Sequence, residues 1–173
     1  MKKLSILALL IGNLAQSQTE KKEPILDIAP LIIKLAPHVS YKNADKYGRL
    51  IKKYSEIYKV DWKIMTAIIR QESNFIQNAV NCDRRGCYDF GLVQINFKNV
   101  KRLNLDAGKL LTDSEYSIEV LAQFLENIQK KYKHKDKYWF GRYNSYTPHI
   151  KRAYYNRIKK HINKIEGLML NVK

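Results

Sequence analysis

The sequence predicts a mainly α-helical fold in one domain, and three observations carry that prediction. The chain has 173 residues, the size of one domain and large enough to bury a sizeable core. It holds only 7 Gly and 4 Pro, which disfavours a turn-rich sandwich and leaves room for long helices. Apolar residues recur at helical spacing in several long segments, while nothing sustains the period-2 alternation of a half-buried strand.

Residues 1–17 stand apart from this pattern. Lys2 and Lys3 precede an apolar stretch from Leu4 to Leu14, and Ala15-Gln16-Ser17 has the form of a small-x-small cleavage site. A short positive start and an apolar run of this length describe a secretory signal peptide. The run is too short to span a bilayer, and no Cys follows it to take a lipid. Export is therefore expected, to the periplasm or the medium. Loss of the two lysines lowers the formal net charge from +16 to +14.

Residues 18–42 read as a lead-in and a short helix. The segment 18–24 is polar, Ile25 to Leu35 is largely apolar, Pro30 suits the first turn of a helix, and Pro37 closes it. Residues 43–173 then form the main domain. Its first helix begins near Asn43 and carries Ala44, Tyr47, Leu50, Ile51, Tyr54, Ile57 and Tyr58 as one stripe, with lysines opposite. Asp61 caps a second helix that carries Ile64, Met65, Ile68 and Ile69 up to Glu72. Residues 78–89 are rich in Asn, Asp and Gly and read as a loop. Thr112-Asp113-Ser114-Glu115 reads as a capping box opening a helix with the stripe Leu121, Phe124, Leu125, Ile128 and Tyr132. A last helix runs from about Pro148 through Ile162.

Cys82 and Cys87 are the only cysteines and enclose Asp83-Arg84-Arg85-Gly86. With no further Cys and no nearby His, a zinc site lacks ligands, and no metal or cofactor is expected. After export a short-loop disulfide is the expected state. It is worth only about 2 kcal/mol by loop entropy, so its effect is to pin one loop; two free thiols are the alternative.

The sequence has no Gly-rich phosphate loop, no HExxH and no GxSxG. His38, His134, His149 and His161 each stand alone. Glu72 differs, because it ends an apolar helix with Ile68 and Ile69 one turn behind on its own face. Apolar neighbours and the negative end of the helix dipole both disfavour the carboxylate. A raised pKa is what a carboxyl group needs to donate a proton near neutral pH.

The segments Ile68-Ile69-Arg70-Gln71-Glu72-Ser73-Asn74-Phe75, Gly91-Leu92-Val93-Gln94-Ile95-Asn96 and Tyr143-Asn144-Ser145-Tyr146-Thr147-Pro148, with Tyr155 downstream, resemble the soluble lytic transglycosylases of the goose-type-lysozyme-like superfamily. Within it the chain looks most like small exported enzymes associated with secretion systems. The resemblance covers about residues 45–162. It rests on E-S-x-F and G-L-x-Q-I-N about twenty residues apart; after Tyr143-Asn144 the chain follows a Y-x-S-x-T-P variant of the commoner pattern.

The resemblance implies a lysozyme-like helical domain with a glycan-binding groove, acting on peptidoglycan strands. It implies Glu72 as the single catalytic carboxyl cleaving the β-1,4 bond between N-acetylmuramic acid and N-acetylglucosamine, with a 1,6-anhydro product. Ser73 then sits beside Glu72, Gln94 and Asn96 line the groove as substrate-binding amides, and Tyr143 approaches the carboxyl. The alternative for Gln94 and Asn96 is to satisfy backbone groups in a buried turn, and for Tyr143 it is core packing. Tyr154 and Tyr155 point about 100° apart on a helix, so one of the two faces the groove.

Two other readings stay open. A lysozyme-type hydrolase needs a group to position water, usually a second carboxylate, and Asp83 and Asp89 are candidates; such an enzyme has a route to preferring de-N-acetylated glycan through a locally acidic groove. A non-enzymatic basic scaffold for a secretion apparatus is the other class. Export argues against nucleic acid as partner, the apolar run argues against stable membrane insertion after cleavage, and a monomer is expected.

Overall fold

The helix that carries Glu72 lies at the centre of the molecule. The structure is a computed structural model that describes residues 27–82, 86 and 88–170; the expected signal peptide of residues 1–17 lies outside the described residues. Helix α3 spans Trp62–Ser73, and Ile64, Met65, Thr66, Ala67, Ile68 and Ile69 are all buried along it. A helix buried on nearly every side needs neighbours all round.

Four other helices build outward from it, two of them packed on it directly. Helix α1 (Ala29–Leu35) starts with Pro30 in its first turn, and α2 (Tyr41–Tyr58) is capped by Ser40, whose side chain accepts from Asn43 N. Helix α6 (Ser114–Tyr132) packs on α2, and the long α7 (Pro148–Leu170) packs along α3. Short helices α4 (Phe97–Arg102) and α5 (Ala107–Thr112) and a 3-10 turn at Trp139–Tyr143 complete the helical part of the described residues. The fold is mainly α, and among the described residues no helix is long and apolar enough to cross a membrane.

Asp61 caps α3 as expected, its carboxylate accepting from Lys63 N at 2.8 Å. The capping of α6 departs from expectation. Asp113, not Thr112, is the N-cap and accepts from the amides of Glu115 and Tyr116, while the Thr112 hydroxyl donates back to Gly108 O within α5. An Asp one residue downstream of Thr offers a better acceptor, and Thr112 serves the preceding helix instead. Helix α7 also runs eight residues beyond Ile162, with Ile165 buried in that extension.

Part of the expected loop at 78–89 is a small antiparallel sheet. Strand β1 (Val80–Cys82) pairs with β2 (Tyr88–Phe90), and β2 pairs with β3 (Ile95–Asn96). Strands of three, three and two residues are too short for alternation to register as a pattern. Cys82 at the end of β1 is exposed and has no disulfide partner among the described residues; Cys87, its expected partner, lies outside them, as does Asp83.

Candidate active site

Glu72 sits in the last turn of α3, where the helix must stop so that its carboxyl can face a cleft. The stop is abrupt: Asn74 and Phe75 both take left-handed backbone angles, with φ of 53° and 64°. Such angles cost free energy in non-glycine residues and persist only where packing holds them. Here Phe75 is buried and stacks on Tyr47 at 6.2 Å between ring centroids. Ser73 is also buried, and its hydroxyl donates to Leu92 O at 2.7 Å.

The segment Gly91–Asn96 forms the opposing wall. Gly91 has φ +74°, and a Cβ there would lie 1.9 Å from Leu110 O, so both the angle and the space demand glycine. Gln94 is buried, also with positive φ (49°). Its Nε2 donates to Ala79 O at 3.0 Å and Gly91 O at 2.8 Å, and its Oε1 accepts from Asn81 at 2.6 Å. Asn96 caps α4, accepting from Lys98 N at 3.0 Å, and its Nδ2 donates to Asp89 Oδ1 at 2.8 Å.

A cleft of about 390 Å³ forms between these walls, and Glu72, Asp89, Gln94, Asn96 and Tyr143 all contribute to its lining. Four of the five residues expected at the site thus come together. Ser73 does not reach this lining; its hydroxyl points into the joint with Leu92. Gln94 and Asn96 border the cleft while their side-chain amides hold the sheet and α4 in place. Tyr143 donates to Val93 O at 2.6 Å and sets its ring edge-on to Phe124, so it braces the wall.

Tyr154 is the residue that contacts the carboxyl. It is buried on α7, and its hydroxyl donates to Glu72 Oε1. Tyr155 instead stacks on Phe140 at 4.4 Å. Helix phase was the signal that separates the two: Tyr154 falls on the buried stripe with Ile158 and Ile162, spaced by four, and Tyr155 does not. The Arg157 guanidinium lies one turn on, 5.5 Å from the centroid of the Tyr154 ring.

These surroundings move the Glu72 carboxyl from 4.5 to about 7. Burial is the main cause and the negative charge of Asp89 adds to it, while the Tyr154 bond and Arg157 pull the other way. Burial likewise holds the phenols of Tyr143 and Tyr154 well above their usual value, so both stay neutral donors. A carboxyl poised near pH 7 beside a neutral phenol can give a proton to a buried oxygen and take one back. Among the described residues no group of His, Cys, Asp and Glu is arranged to hold a metal ion.

A helical domain with one half-buried, protonatable Glu at the end of its central helix, facing a polar cleft, is the architecture of a lysozyme-like glycosidase. The chain belongs to the family described as the Transglycosylase SLT domain, whose model matches residues 49–166. At the level of that family the activity is of the peptidoglycan lytic transglycosylase type. The chain is also 29% identical over 122 residues to the protein named Invasion protein IagB of Salmonella typhimurium, covering 65% of this chain and 74% of that one. The Invasion protein IagB of Salmonella typhi is 28% identical over the same shares.

Proposed function

We propose that this protein cleaves the β-1,4 bond between N-acetylmuramic acid and N-acetylglucosamine in peptidoglycan, as a lytic transglycosylase with Glu72 as its one acid and base. The observation that carries the reading is the Glu72 carboxyl itself, half-buried, bonded to Tyr154 and lifted to about 7. Protonated, it donates to the glycosidic oxygen as that bond breaks. The resulting carboxylate then accepts the proton of the muramyl C6 hydroxyl while that oxygen bonds to C1. The product is a 1,6-anhydro sugar, Glu72 is protonated again, and no water is consumed. Tyr154 steadies the carboxylate between the two transfers.

The proposal includes the expected domain division and export: a signal peptide at 1–17, a lead-in at 18–42, a catalytic domain at 43–173, and a monomer acting in the periplasm or outside the cell. Family membership and the likeness to Invasion protein IagB support an exported location in general terms. Gln94, Asn96 and Tyr143 are proposed to shape the groove that receives the strand, and Ser73 to hold it together.

A hydrolytic outcome has one observation in its favour: Asp89 places a second carboxylate in the same cleft. Against it, that carboxylate is already engaged by Asn96. Product masses after digestion of purified sacculi separate the two, because anhydro-muramyl ends are lighter than reducing ends by one water. Anhydro ends are expected throughout; reducing ends alone would overturn the transglycosylase reading. Failure to clear sacculi at all, with retained binding, would leave the scaffold reading.

A further inference from the structure

The cleft that holds Glu72 adjoins a second and larger one, and the charge changes sign between them. The first is lined by Glu72 and Asp89 with Lys98. The second has a volume of about 690 Å³ and shares Asn99, Phe124, Tyr143 and Asn144 with it. Its lining contains Arg102, Lys131 and Arg142 and no acidic side chain.

These three cations are held differently. Arg142 is fixed: its Nε and Nη2 lie 2.9 and 2.8 Å from Asp136 Oδ2, and its guanidinium lies 3.9 Å from the centroid of the Tyr132 ring. An arginine has five N–H donors, so this arrangement leaves three uncommitted on a rigid fork. Arg102 donates to Asn99 Oδ1 at 3.0 Å, and Lys131 lies 5.3 Å from the Tyr132 centroid. Among the described residues neither is in a salt bridge. Leu103, Leu105 and Ile128 supply apolar surface, and Gln123 and Asn127 supply amides that both donate and accept. The volume falls in the range of built ligand sites.

We propose that this second cleft binds the carboxylate-bearing stem peptide of the strand whose glycan lies in the first. The proposal rests on reading the Glu72 cleft as the glycan-cleaving site. A muramyl residue carries its peptide on a lactyl arm, so a peptide leaves the glycan sideways, into space that adjoins the glycan's own. Amides match its peptide groups, apolar surface matches its small side chains, and a fixed guanidinium matches a carboxylate in two-point fashion. The sign change keeps the peptide's negative charge away from the Glu72 and Asp89 carboxyls.

The test uses the full chain carrying Glu72→Gln, with a soluble stem peptide in two forms, free carboxylates and the same carboxylates amidated. The free form is expected to bind at least about tenfold tighter than the amidated one. Adding Arg102→Gln and Lys131→Gln, both at exposed positions, is expected to narrow that difference to the part that Arg142 supplies, with an unchanged thermal midpoint showing that the fold is intact. Equal binding of the two peptides overturns the proposal, as does tighter binding of a poly(glycerol phosphate) than of the free peptide. In a parallel assay with active Glu72, KM for peptide-bearing strands is expected below KM for strands stripped by an amidase, and the double substitution narrows the gap. Cleavage of neither strand would overturn the catalytic reading, while the binding measurement still decides the peptide site.

Discussion

The Ser73 hydroxyl donates to the carbonyl of Leu92, 19 residues away, at 2.7 Å. That bond joins the two most specific segments of the chain, the end of the Glu72 helix and the Gly91–Asn96 wall. Removing the hydroxyl leaves a buried carbonyl without a partner, at a cost of about 1–3 kcal/mol. Ser73→Ala is therefore expected to lower the unfolding free energy measured by urea titration by that amount, with activity falling only as far as the wall loosens. A raised KM at unchanged stability would instead put Ser73 in contact with substrate.

The Glu72 carboxyl gives a second prediction, with opposite signs for stability and activity. Its folded value near 7 lies above the unfolded value near 4.5. The folded state therefore holds this proton more tightly, a stabilisation present in full below about 4.5 and lost as pH rises through about 7. Above that range the ionised group disfavours the fold by up to about 3 kcal/mol. Glu72→Gln is expected to abolish clearing of sacculi, to stabilise the protein at pH 8, and to lose that advantage by pH 4. Chemical denaturation across this range measures it, and a stability gain that is flat with pH would exclude the carboxyl as its source.

Much of this architecture was legible because long helices leave long patterns. Helices α2, α3, α6 and α7 each present an apolar stripe over three turns or more, so their existence follows from spacing alone. The sheet was not legible, since its pairing depends on which short segments meet in space. The candidate site divides in the same way. Glu72 stood out because its own helix neighbours are apolar, a local property. Gln94, Asn96 and Ser73 present polar groups whose partners are set by tertiary contact, and those partners turn out to be Ala79, Gly91, Asn81, Asp89 and Leu92. An amide that holds a wall and an amide that reaches for sugar look alike in one dimension.

Gly91 yields a prediction about that wall. Alanine there meets Leu110 O at 1.9 Å and the Leu110 carbonyl carbon at 2.7 Å, in a backbone conformation that already disfavours any side chain. Backbone atoms cannot turn aside as a flexible side chain can. Gly91→Ala is expected to cost at least about 2 kcal/mol and to reduce activity further by displacing Leu92 and Gln94. Gly86→Ala is a contrasting control, since a Cβ there meets nothing within 4 Å among the described residues, although its φ of +71° leaves the strain of the angle. The difference between the two melting midpoints isolates the steric contribution; equal losses would show that the angle alone matters.

Tyr154→Phe tests which way the phenol acts on the carboxyl. The hydroxyl donates to Glu72 Oε1, and that bond favours the ionised form, drawing the carboxyl down against burial and Asp89. Without it the pKa of Glu72 is expected to rise above about 7, so the alkaline limb of the pH–rate profile moves to higher pH. The rate at the optimum falls for a separate reason. A hydrogen bond to a charged group is worth about 1.5–3 kcal/mol, and if it steadies the carboxylate formed after the first proton transfer, kcat drops roughly 10- to 100-fold. Asp89→Asn moves the same limb the other way, because a negative charge that raises the carboxyl has been removed. Opposite displacements in these two variants are the signature of one titrating carboxyl held between a donor and a second acid. A limb that stays in place in both would assign the pH dependence to another group.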